Sequence, residues 1–185
     1  PFADAKIPEQ ASARADVMID NYAPLPMLLA AWATARKGSA DYAALQVAAS
    51  VLGGSNHARL PAEWVQKRAI ATEVSVNLRD FGTNDPFTIS IQMASGHKAE
   101  EATPLLEKEL ERLGKEGPTK DELVRAKRQL ATSNALALEP FVDRANALSD
   151  AELQSGDANA LRKGQIDLAA VSAADVARVV HTYLT

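Results

Sequence analysis

The chain has 185 residues, a formal net charge of −4, 46% hydrophobic and 5% aromatic residues, and no cysteine; that is one domain's worth of chain, able to bury about 70% of the surface it exposes when unfolded. A charged fraction of 24% beside so much apolar sequence excludes disorder as a first reading, and no apolar run reaches the roughly 18 residues that cross a bilayer. Without cysteine there is no disulfide, thiolate metal site or Cys nucleophile, and the 20 Lys and Arg are scattered among 24 Asp and Glu, with no basic stripe to hold nucleic acid.

Residues 1–14 carry two prolines and no period, so they read as a linker into a domain spanning 15–185. The start at Pro1 has neither the basic stretch nor the apolar core of a signal peptide, which leads us to expect either a mature product or an excised segment of a longer chain. Val17 to Asp20 and Leu25 to Thr34 are predicted strands, the second so apolar that burial on both faces is expected. Ser39 or Asp41 can cap a helix running to Leu52, with Tyr42, Leu45, Ala49 and Leu52 on one face and Gly53-Gly54 as its stop. A short helix follows over 58–68, with Pro61 in its first turn.

Two strands stand out next. Val74, Val76 and Leu78 alternate with Ser75, Asn77 and Arg79, and Phe87, Ile89, Ile91 and Met93 with Thr88, Ser90 and Gln92, which predicts an antiparallel hairpin with one wet face, joined by a turn-rich connector. From Lys98 the pattern is helical to the end. Leu106, Leu110 and Leu113 form one stripe, and Pro104 either follows a Thr103 cap or kinks the helix. Thr119 to Glu122 is a capping box ahead of Leu123, Ala126 and Leu130, Pro140 opens a helix that Gly156 ends, another helix starts near Asn159, and Ser172 to Asp175 caps a last one. Strands early and helices late predict an α+β fold, a sheet layered on helices.

Chemistry is sparse. None of His57, His97 and His181 is read as having another His or a Glu at the i, i+3 or i+4 spacing that would set two ligands on one helical face, and neither H-E-x-x-H nor H-x-x-E-H occurs, so no metal site is expected in this chain. There is no G-x-S-x-G, Walker loop or G-x-G-x-x-G, and Gly53-Gly54-Ser55-Asn56 reads as a turn between helices. Glu100, Glu101, Glu107, Glu109 and Glu111 read as a solvated helix face.

Four segments in order nevertheless resemble the non-catalytic C-terminal homology domain of the insulinase/pitrilysin family of zinc peptidases. They are Asp41-Tyr42-Ala43-Ala44-Leu45 with Val51-Leu52-Gly53-Gly54, His57-Ala58-Arg59-Leu60 leading to Ala69-Ile70-Ala71, Glu116 to Lys127, and Ile166 to Val176. The resemblance runs from about Val17 to the end. It implies a two-layer α/β sandwich with a mixed, mainly antiparallel sheet, the metallopeptidase half-shell of the LuxS and mitochondrial-processing-peptidase kind, here without its last strand. It further implies that the chain alone is inactive and that zinc sits in a separate H-x-x-E-H domain or subunit. This domain would then close a chamber around peptide substrates and help to position them.

The family's substrate-contacting Arg and Tyr align with Val65 and Thr72, neither of which can do that job, and Arg59 is a further candidate for the chamber wall or for tying a helix start to neighbouring carboxylates. The partners expected are a catalytic peptidase half and peptides, with no nucleic acid and no membrane span; the location expected by analogy is the bacterial periplasm or cell envelope. A structural or assembly subunit with no peptidase role is the alternative that Val65 and Thr72 favour, and an unrelated α+β binding domain is the third reading.

Overall fold

A computed structural model of the chain describes residues 15–19, 22–79 and 86–185. The linker expected over 1–14 and most of the hairpin connector lie outside the described residues. Three strands, β1 (Met27–Ala33), β2 (Ala71–Leu78) and β3 (Pro86–Met93), form a sheet in the order β1-β3-β2, antiparallel throughout. Helix α1 (Tyr42–Gly53) and a π-helical segment (Pro61–Lys67) lie between β1 and β2, and α2 (Ala99–Glu116), α3 (Lys120–Ala137), α4 (Phe141–Ser155), α5 (Ala160–Ala170) and α6 (Ala173–Tyr183) follow the sheet.

Period-two patterning decides the centre of the sheet. Phe87, Ile89, Ile91 and Met93 of β3 are all fully buried and face the helices, each aliphatic side chain contributing about 1.5–3 kcal/mol by leaving water. Helix α1 departs from the one-sided face expected. Eight of its apolar residues, four of them alanines, are buried around most of its circumference, because it packs on β2, α3, α5 and α6 at once. Small side chains permit that close approach. Gly53 shows it most sharply, since a Cβ there would stand 2.3 Å from Val76 Cγ2.

Two strand expectations are overturned. Val17 to Ile19 belong to no strand and are at least 85% exposed. β1 is an edge strand, paired only with β3 among the described residues, and it leaves Met27 and Leu29 more than half exposed. Its apolar run reflects one face on the core, through Leu28, Ala30 and Trp32, and one face left open.

The helix boundaries follow their local signals. Thr119 Oγ1 accepts from Glu122 N while Glu122 Oε2 accepts from Thr119 N, and Ser172 and Asp175 make the same reciprocal pair, so each box satisfies two otherwise orphaned donors. Pro104 neither starts α2 nor ends it; the helix begins five residues earlier, at Ala99. No described helix is long and apolar enough to cross a membrane.

Candidate functional site

Backbone irregularity concentrates in one stretch. Residues 61–67 form a π-helix, Ala69 takes φ +53 although it is not glycine, and the β2–β3 register slips between Ala71 and Glu73, leaving Thr72 in a bulge. π-helical turns, left-handed non-glycine residues and bulges each cost stability and recur where a protein shapes a working surface. The three devices together carry the chain from the helical layer into β2.

Between the π-helix and α2 lies a groove of about 710 Å³. Leu60 and Trp64 form its apolar floor, and the rim alternates charge. Glu63 binds Arg68 at 2.8 Å and Lys67 at 3.3 Å, Glu109 binds Arg112 at 2.9 Å, and Glu111 binds Lys115 at 3.5 Å. Most of these partners are half or more exposed, so water and salt screen the pairs and each contributes little.

Arg59 closes one end. Its Nε and Nη2 both donate to Glu122 at 2.8 Å, Nη1 donates to Glu109 Oε1 at 3.0 Å, and Nη2 also reaches the carbonyl of Gly117 at 3.2 Å. With 9% of its side chain exposed, it ties the start of the π-helical segment to the end of α2 and the cap of α3. Hydrogen bonds from Arg59, opposed by burial and helped by the Thr119 amide, lower Glu122 from 4.5 to about 2. Burial opposes the charge on Arg59, but the bonds to Glu122 and Glu109 outweigh it and raise its pKa. Glu109 thus departs from the solvated-face reading, with only 17% of its side chain exposed.

Val65 and Thr72 are placed apart from that network. Val65 is half-buried against the core, whereas Thr72 is exposed and its hydroxyl donates to the carbonyl of Gln92 at 3.3 Å. Among the described residues, Arg59, Val65 and Thr72 have no shared hydrogen-bond partner.

A second polar cluster was invisible in the sequence. Asp41, ahead of α1, accepts from Arg178 at 2.7 Å and from the Tyr183 hydroxyl at 2.9 Å. The Arg178 bond lowers Asp41, while burial first, and then Asp41, raise Tyr183. The residues lie 137 and 142 positions apart, beyond any local spacing rule.

The described residues do not fit zinc. Among the described residues no group of three His, Asp or Glu could hold a metal ion. His57 and His181 are exposed, and His97 Nδ1 pairs with Glu101 at 3.0 Å, which corrects the expectation that no histidine has a Glu four residues away.

The sequence profile described as the peptidase M16 inactive domain matches residues 3–130. No curated protein matches significantly. Among solved structures, a protease from Helicobacter pylori superposes with TM-score 0.82 at 22% identity, over 90% of this chain and 40% of that one. The inactive peptidase domain of a protein described as a zinc protease in Bordetella parapertussis gives 0.80 at 24% identity, over 91% of both chains. The periplasmic protease PqqL from Escherichia coli gives 0.65 at 19% identity, over 88% of this chain and 18% of that one. The chain therefore spans two fifths of the Helicobacter protease, and the likeness to all three shows the α+β fold. The profile match covers more than half of the chain and shows the family: this chain belongs to peptidase M16, as an inactive domain of that family.

Proposed function

We propose that this domain acts as the non-catalytic half of a zinc metalloendopeptidase, closing a peptide chamber and positioning substrate for a separate H-x-x-E-H domain or subunit. The observation that carries the reading is the inactive-domain profile over residues 3–130, in a sequence with no zinc motif of its own. Zinc, and the water it activates, belong to the partner. On this reading Arg59, Val65 and Thr72 mark the wall that faces substrate. Arg59 acts through the turn it holds, and Val65 and Thr72 supply shape in place of the donor and phenol that active members carry there. The substrates are peptides, and the periplasm or cell envelope is the proposed location.

A second reading, an assembly subunit without peptidase role, is favoured by Val65 and Thr72 themselves. One experiment separates the two. The H-x-x-E-H chain or domain that accompanies this one is assayed on a fluorogenic peptide with and without it. The peptidase reading expects hydrolysis to require both; undiminished hydrolysis by the partner alone would sink it and leave the scaffold.

A further inference from the structure

The Gly53-Gly54 pair that ends α1 is explained only at its first position by the close approach to β2. Gly54 has an ordinary helical backbone, φ −66 and ψ −12, which any residue adopts. Space, not conformation, distinguishes it: a Cβ there would stand 2.7 Å from both Oγ and the carbonyl oxygen of Ser50, well inside van der Waals contact. The bare glycine leaves room beside that hydroxyl.

Ser50 lies one turn earlier on α1 and is 8% exposed, and its Oγ has no hydrogen-bond partner among the described residues. Buried hydroxyls in native proteins are almost always bonded to protein or to ordered water, because a bond left unmade there loses what solvent would have supplied. Ser50 lines a cavity of about 10 Å³ between α1 and α3, together with Ser55, Glu122, Arg125 and Gln129. Gln129 donates its Nε2 to the carbonyl of Gly54, which leaves Oε1 as an acceptor. Glu122 is held by Arg59 and by the Thr119 amide.

Size and charge select the occupant. One water molecule needs about 10–15 Å³ on this measure and a few polar partners, so the space admits a water and excludes phosphate, a hydrated ion or an organic ligand. A bare metal ion is excluded by chemistry, since the single carboxylate is already paired and the Arg125 guanidinium lines the same space. We propose that this cavity is a hydration site for one ordered water, bonded to Ser50 Oγ and to the α3 side chains that line the same space, with Gly54 keeping it open. The water joins the end of α1 to α3 beside the Arg59–Glu122 network. That bridge is independent of any peptidase role.

The test is a high-resolution crystal structure of the chain, with urea unfolding of Ser50→Ala beside it. Density for one water is expected within about 2.5–3.2 Å of Ser50 Oγ and of at least one polar atom of α3. A cavity without density, or Ser50 Oγ turned onto a backbone carbonyl, would overturn the proposal. In Ser50→Ala, loss of the water-bonded hydroxyl raises the unfolding equilibrium constant about fivefold. The better helix propensity of alanine offsets about twofold of that, so a net rise of about two- to threefold is expected. A dry hydroxyl gives the opposite sign, because alanine then removes an unbonded buried group and improves the helix together. An unchanged or lower constant would overturn the proposal.

Discussion

At the scale of single residues, Arg59 is tied down by four hydrogen bonds. One planar guanidinium meets a carboxylate of α2, the carbonyl of that helix's C-cap and a carboxylate of α3, with side-chain exposures of 9% for Arg59, 17% for Glu109 and 18% for Glu122. Breaking such a pair leaves uncompensated buried charge, so Arg59→Ala is expected to cost about 3 kcal/mol in urea unfolding at neutral pH. Arg59→Lys should recover less than half of that, because an ammonium cannot fork. The pH dependence follows from Glu122. Its folded pKa, about 2, lies below the ordinary 4.5, so its contribution is present above pH 4.5 and is lost as the pH falls towards 2. That contribution is at most about 3 kcal/mol. Glu122→Gln should therefore lower stability at pH 7 and flatten the acid limb, whereas an unchanged acid limb would show that the network does not govern it. The contrast is Arg178, 51% exposed in its bond to Asp41; Arg178→Ala is expected to cost less than about 1 kcal/mol.

Elements differ in how legible they were. β2, β3 and the capped starts of α3 and α6 were readable because each announces itself locally, through alternation or a reciprocal cap. β1 was misjudged because an unbroken apolar run looks the same whether a strand is central or at an edge, and only the pairing partner tells them apart. The all-round burial of α1 was hidden for a similar reason, since Ala carries almost no amphipathic signal. Glu122 was legible as a cap, but its second role towards Arg59, 63 residues away, was not. The close approach of α1 to β2 yields a test. Gly53→Ala should destabilise by about 1–3 kcal/mol despite better helix propensity, and Val76→Ala in the same chain should relieve only part of that cost in a double-mutant cycle, because Val76 Cβ would still stand 2.8 Å from the added methyl. Helix α4 lies at the other extreme, with Phe141, Val142 and Leu153 exposed at 78%, 65% and 84% and no buried residue among those described. In native-state hydrogen exchange its amides should exchange first among the helices, while those of β3 and α1 exchange last.

For the whole molecule, the described residues form a helical layer over a three-stranded sheet, and no group of three His, Asp or Glu among them could hold a metal ion. Backbone irregularity is concentrated in the stretch from the π-helix to the Thr72 bulge. Exposed apolar side chains on α4 and β1, in a chain that spans two fifths of one similar protease, fit a domain that works beside another. The central claim is that this chain is the silent partner, and the most direct test is to purify it alone, titrate it with zinc by calorimetry and assay peptide hydrolysis in the same sample. The account predicts no tight stoichiometric zinc and no turnover; one zinc bound tightly per chain with peptide cleavage would contradict it.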